Sequence, residues 1–149
     1  MIVLALCVPV VSTAQDNSLI YVPSNQLGEY WHVRKSAKPK YPRGPDNKIK
    51  EACVVVAFII ESNGRTSAER AIAAYPSERF AESALNAIRK FRFEPAEANQ
   101  KRKPVYTTTL FTFQLSRSNE TNEQVQDALT SICASAAQTV LDRETSVGQ

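Results

Sequence analysis

RFAESALNAIRKFRFEPAEANQ, residues 79–100, opens as an amphipathic helix and then breaks its own pattern. Ser77 is placed to cap a helix N-terminus, and Glu78 adds a negative charge where the helix dipole favours one. Phe80, Ala84, Leu85, Ala87, Ile88 and Phe91 recur at helical spacing and define one apolar stripe. Pro95 disfavours helical geometry at Glu94, so the helix ends before that point. Beyond Ile88 the period shortens to two. Phe91 and Phe93 then point one way as core anchors, and Arg92 and Glu94 point the other. The segment reads as a helix that turns a corner into extended chain.

What precedes the helix must supply the surface it packs on. ACVVVAFIIES, from Ala52, is a β-branched run of strand length. Asn63-Gly64 follows, a pair suited to the two positive-φ positions of a type I′ hairpin turn. A second strand is therefore expected from Arg65 or Thr66, although TSAERAIAAYP is rich in alanine and would suit a helix by propensity alone. After a polar loop comes PVYTTTLFTFQLS, in which Val105, Thr107, Thr109, Phe111 and Phe113 alternate with Tyr106, Thr108, Leu110 and Thr112. This is a long closing strand. Strand, strand, helix, strand predicts an α+β fold: a three-stranded antiparallel sheet packed on one helix.

The flanks are written differently. Residues 15–38 are polar with scattered apolar positions and form a lead-in segment with one short strand at Leu19–Val22. Residues 118–149 carry a capping box at Thr121 and Gln124. Val125, Ala128, Leu129, Ile132, Cys133, Ala136 and Val140 then share a helical face, so an extra C-terminal helix is expected against the sheet. MIVLALCVPVVSTA, residues 1–14, is uncharged and too short to cross a bilayer, which takes about 20 residues. It has the length of a signal-peptide core, with small residues Ser12 and Ala14 at the cleavage position, although no basic residue precedes it. Leu6 before Cys7 argues against lipidation.

The chain has 149 residues, 43% of them hydrophobic and 22% charged, which suits one folded domain. A net charge of +3 is too mild for the usual nucleic-acid footprint. Removing residues 1–14 would leave two cysteines, Cys53 and Cys133. In an oxidising compartment these are expected to pair, the alternative being two buried, unpaired thiols. No metal or cofactor site is legible, since the single histidine, His32, has no Cys or His at ligand spacing. An enzyme would need a His-containing catalytic pair, a glycine-rich phosphate loop or a carboxylate pair, and none is written.

Four ordered pieces between residues 39 and 117 resemble the C-terminal domain of the TonB family. They are PKYP with Tyr41 and Pro42, VVVAFIIESNGR with Gly64, the helix and corner with Phe80, Arg89, Phe91, Arg92, Phe93 and Pro95, and YTTTLFTFQL. The resemblance implies a non-catalytic binding module. Such domains hold an extended segment of a TonB-dependent outer-membrane receptor at the exposed edge of their last strand, here Val105 to Phe113. It also implies a periplasmic location. A homodimer made by strand exchange is left open, as is an N-terminal membrane anchor if the true start lies upstream. The proline-rich spacer and motor-coupling anchor of TonB proper are not written in these residues, Ala52 stands where the family usually has Gly, and Glu69 stands where an apolar residue is usual. The alternative is a TolA-like envelope scaffold without a transport role.

Overall fold

The computed structural model describes residues 18–44, 49, 51–114 and 123–147; the expected signal segment and the capping residue Thr121 lie outside them. The strands are β1 (Ile20–Tyr21), β2 (Trp31–Lys35), β3 (Glu51–Ile60), β4 (Thr66–Tyr75), β5 (Arg92–Pro95) and β6 (Val105–Gln114). The helices are α1 (Ala81–Ile88) and α2 (Glu123–Val147). The main sheet has the order β1-β6-β3-β4, with β3 antiparallel to both neighbours and β1 parallel to β6. A separate two-stranded ribbon pairs β2 with β5. Three strands were expected in one sheet, and the structure adds β1 to it and the β2–β5 ribbon beside it. The short strand expected at Leu19–Val22 is β1. The added strand β2 eludes the sequence because WHVRK buries only Trp31 and leaves the rest exposed.

β3 is the middle of the molecule. Val54, Val56, Phe58 and Ile60 face one side, where they pack with Phe80, Ala84, Ala87 and Ile88 from the α1 segment. Cys53 and Val55 face the other side, against Leu129, Cys133 and Ala137 of α2. A strand covered on both faces cannot alternate apolar and polar residues, which is why ACVVVAFII is one unbroken apolar run.

The β3–β4 turn differs from the expected type I′. Among the described residues Gly64 has φ +76°, and the non-glycine residues with positive φ are Ala68 and Arg102, so Asn63 does not adopt the second left-handed position. The Gly64 N–H donates to the Glu61 carbonyl at 2.8 Å and the Glu61 N–H to the Arg65 carbonyl at 2.9 Å. This is the pattern of a four-residue turn followed by a glycine bulge. The Asn63 side chain accepts from the Arg65 N–H at 2.9 Å. β4 is a strand in spite of its alanines, but an irregular one. Its register against β3 shifts twice, with Ala68 left-handed at the second irregularity. Glu69 accepts from the Thr66 hydroxyl at 2.6 Å and lies 3.9 Å from Arg89, so the carboxylate in a usually apolar position is partnered.

The corner follows the sequence closely. Ser77 accepts from the Arg79 N–H at 3.4 Å, and the first turn, Glu78–Phe80, is 3-10 before α1 begins. Phe80, Ala84, Ala87 and Ile88 are buried, and Leu85 is half-buried. Tyr41 stands edge-on to Phe80 with ring centroids 5.4 Å apart, and the Arg79 guanidinium donates to the Pro42 carbonyl at 3.4 Å. Tyr41 and Pro42 thus fasten the lead-in to the start of the helix. Phe93 is buried, stacking on Phe58 at 6.1 Å, whereas Phe91 is half-buried and meets Phe111 edge-on at 6.0 Å. Of the two expected anchors, Phe93 is the deeper. Arg92 does not pair with Glu94; its guanidinium donates to the Arg89 carbonyl at 3.0 Å, at the helix C-terminus where a cation is favoured. Pro95 sits opposite Trp31 in the β2–β5 ribbon, and the Trp31 indole N–H donates to the Lys103 carbonyl at 3.1 Å. The Phe93 N–H donates to the Gly64 carbonyl at 2.8 Å, so the hairpin turn and the corner are tied together.

α2 covers the face of β3 and β4 opposite α1, but along a narrower seam than the sequence suggests. Leu129, Cys133, Ala137 and Leu141 are buried at a spacing of four. Ala128 and Ala136, expected on this face, are exposed, as are Val125 at 42% and Ile132 at 44%, while Val140 is half-buried. A straight helix crossing a twisted sheet touches it along one row of side chains, and a wide sequence stripe overestimates that contact.

Two outcomes test this packing by urea denaturation. Gly64→Ala should cost at least about 2 kcal/mol, because the position is left-handed and a Cβ there would run into the Phe93 carbonyl oxygen. Phe93→Ala should cost about 3–5 kcal/mol and the half-buried Phe91→Ala less, with Arg92→Ala the mildest of the three. Equal losses at Phe91 and Arg92 would overturn the assignment of faces.

Candidate functional site

β6 is the strand on which the family resemblance leads partner binding to be expected. Val105, Phe111 and Phe113 are buried toward α1, as is Thr107, whose hydroxyl finds no hydrogen-bond partner among the described residues. Thr109 is half-buried. Tyr106, Thr108, Leu110, Thr112 and Gln114 lie on the α2 side, with Leu110 37% exposed. The register against β3 is unbroken from Val105 to Gln114.

The other edge of β6 is only partly open. β1 pairs with Val105 and Tyr106, and the Val22 N–H donates to the Tyr106 carbonyl at 2.9 Å. The open edge therefore begins after Tyr106, not at Val105 as the sequence suggests. Because the Tyr106 carbonyl points to β1, alternation along an extended strand aims the backbone groups of Thr108, Leu110, Thr112 and Gln114 the same way. No described strand pairs with those four residues. Pro23 ends β1 just where it would continue along them. The edge carries no charged residue from Thr107 to Gln114 and no bulge, whereas protected edges usually carry one or the other.

α2 lies over β3 and β4 and reaches β6 at both ends. Near its start Gln126 accepts from the Gln114 amide at 3.1 Å. Near its end Glu144 accepts from the Tyr106 hydroxyl at 3.2 Å and from the Arg70 guanidinium. The Tyr106 phenol is pushed above its ordinary value, first by burial and then by the Glu144 charge; the Arg70 pKa is raised chiefly by its hydrogen bond to Glu144. Between these ends a disulfide joins Cys53 of β3 to Cys133 of α2, with Cα atoms 6.3 Å apart. Of the two states the sequence allows for these cysteines, the structure has the paired one. Between α2, β1 and the open edge runs a groove of ≈ 290 Å³, lined by Tyr21, Pro23, Leu110, Ala134, Ala137 and Leu141 among others. The sequence hides this groove, since its walls come from the two flanks of the chain and meet only in the fold.

The remaining motif residues, Tyr41, Pro42, Gly64, Phe80, Arg89, Phe91, Arg92, Phe93 and Pro95, lie on the lead-in, the hairpin turn, the helix and the corner, with Phe80 and Phe91 meeting Phe113 and Phe111 on the α1 face of β6. They hold the sheet that presents it. The family model for the Gram-negative bacterial TonB protein C-terminal matches residues 37–115. The chain belongs to the TonB C-terminal family. The solution NMR structure of the Pseudomonas aeruginosa TonB CTD is similar to it, with a TM-score of 0.52 and 25% sequence identity over 66% of this chain and 97% of that one. No individually curated protein matches the sequence significantly. β1, β2 and α2 all lie outside the span that matches the TonB C-terminal family. No helix among the described residues is long and apolar enough to cross a membrane.

The disulfide closes a sequence separation of 80 residues. Cys133→Ser should lower stability by about 2–5 kcal/mol. The loss should be uneven: amide exchange should rise in α2 well before it rises in β3. Simultaneous exposure of both would mean that the crosslink holds the whole fold and not the second layer.

Proposed function

We propose that the domain is a periplasmic receptor-binding module, which pairs the open edge of β6, Thr108 to Gln114, with an extended segment of a TonB-dependent outer-membrane receptor. The observation that carries this reading is a long, uncharged, regular strand whose outward backbone groups have no partner among the described strands, within a TonB C-terminal fold. Strand addition satisfies such groups whatever the side chains. TonB C-terminal domains are non-catalytic interaction modules, and here no chemistry is asked of the edge beyond hydrogen bonding. Binding by a short flexible segment is modest, because ordering the peptide consumes part of the interaction energy.

In this reading residues 1–14 direct export and are removed, 15–38 lead into the module, 39–117 form it, and 118–149 are a helical extension that brackets the binding edge. N-terminal sequencing of protein from cell envelopes should begin near Gln15.

Thr108→Pro is the direct test of the edge. It removes one outward backbone donor while leaving the odd-numbered ladder to β3, a substitution an edge strand tolerates. Titration with receptor-derived extended peptides should shift the amides of Thr108, Leu110 and Thr112. The proline variant should lose binding and Thr108→Ser should keep it. Shifts confined to α1, with β6 silent, would refute the edge as the site.

A further inference from the structure

We propose that the groove beside the β6 edge is a side-chain pocket that selects receptor segments carrying an apolar residue opposite Leu110, with α2 as its outer wall. The proposal rests on the strand-addition reading above and adds to it a requirement on side chains.

A strand added to β6 would lie about 4.8 Å outside it, in line with β1, and its side chains would point alternately to the α1 face and the α2 face. On the α2 face they meet the groove. Its floor is Val55 and Leu110, one end is closed by Tyr21 and Pro23, and the far wall is Ala134, Ala137 and Leu141 of α2. The volume of ≈ 290 Å³ falls just below the roughly 300–1,000 Å³ of sites that enclose a whole small molecule, so it suits part of a ligand. Small residues at Ala134 and Ala137 make the wall recede where a bulky guest would sit. The 37% exposure of Leu110 at the middle of the floor is the surface such a guest would cover. Ile20 pairs with Val105 and Tyr21 with Tyr106 in parallel, so β1 runs toward the edge and Pro23 turns the chain off behind it.

The family span alone does not build this pocket. The matched residues 37–115 supply the edge and the floor, while Tyr21 and Pro23 lie ahead of that span and Ala134 and Leu141 beyond it. The disulfide between Cys53 and Cys133 fixes the wall one residue from Ala134, so the pocket keeps its width when the edge is empty.

The experiment compares two acetylated, amidated heptapeptides, Ser-Thr-Ser-Leu-Ser-Thr-Ser and its central Leu-to-Ser relative, titrated into the full mature chain and followed by NMR. The leucine peptide should bind about tenfold tighter or more, as burial of one aliphatic side chain implies. It should move the methyl signals of Leu110, Ala137 and Leu141, and both peptides should move the amides of Thr108, Leu110 and Thr112. Ala134→Trp, at an exposed position of α2, fills the groove and should bring the leucine peptide down to the affinity of the serine one. Equal affinities with the edge amides shifting in both titrations would overturn the pocket and leave strand addition standing. Silence of the edge amides with both peptides would overturn strand addition itself, and the pocket with it.

Discussion

β3 is the constraint on which the rest of the structure depends. Ten residues of nearly continuous apolar chain must be covered on both faces and paired on both edges. Each large aliphatic side chain that leaves water there contributes about 1.5–3 kcal/mol, so no arrangement with one face exposed competes. Pairing on both edges calls β4 and β6 to its sides. Coverage calls α1 to one face and α2 to the other. α1 belongs to the family fold. α2 is an added layer with a narrow contact, and a covalent bond to Cys53, near the start of the strand it covers, fixes its position.

The second organising contact is smaller. The Phe93 N–H donates to the Gly64 carbonyl, and the turn comes so close to β5 that a side chain at Gly64 would strike the Phe93 carbonyl. This couples the far end of the β3–β4 hairpin to the corner after α1, which in turn sets where the chain starts back toward β6. The alternation of aromatic and basic residues at Phe91 to Phe93 follows from that geometry. The rings fill the angle between helix and sheet. Arg92, on the other side, finds the free carbonyl at the end of the helix.

The family fold was legible because each of its elements is marked by a local device: the apolar run of β3, Gly64, the stripe of α1, the phenylalanines, Pro95, and the alternation of β6. The misses have a common physical cause. β1 has two residues and β2 one buried side chain, so neither displays a period. Asn63-Gly64 suggests type I′, yet the same dipeptide suits a four-residue turn with a glycine bulge; the choice is made by the approach to Phe93, which is tertiary. The apolar stripe on α2 is wider than its buried seam because periodicity reports which residues are apolar and not which of them find a partner. The edge of β6 read as open along its whole length, since nothing in YTTTLFTFQL reports that Ile20 and Tyr21 will cover its first two residues.

The two margins of the sheet show how differently an edge is treated when it is meant to stay alone. β4 shifts register twice, takes Ala68 left-handed and carries Glu69 and Arg70, devices that spoil a template for further pairing. β6 has none of these past Tyr106. It is regular, uncharged and threonine-rich, which leaves its backbone reachable while keeping it compatible with water. Had α2 crossed the sheet nearer this margin it would have closed the edge as a helix often does. Instead it lies over β3 and β4, clasped to β6 by Gln126 at one end and Glu144 at the other, with small residues between. A covering layer that stops short of this regular, uncharged edge, and is bonded in place so that it stays short, frames the edge and leaves its backbone groups reachable.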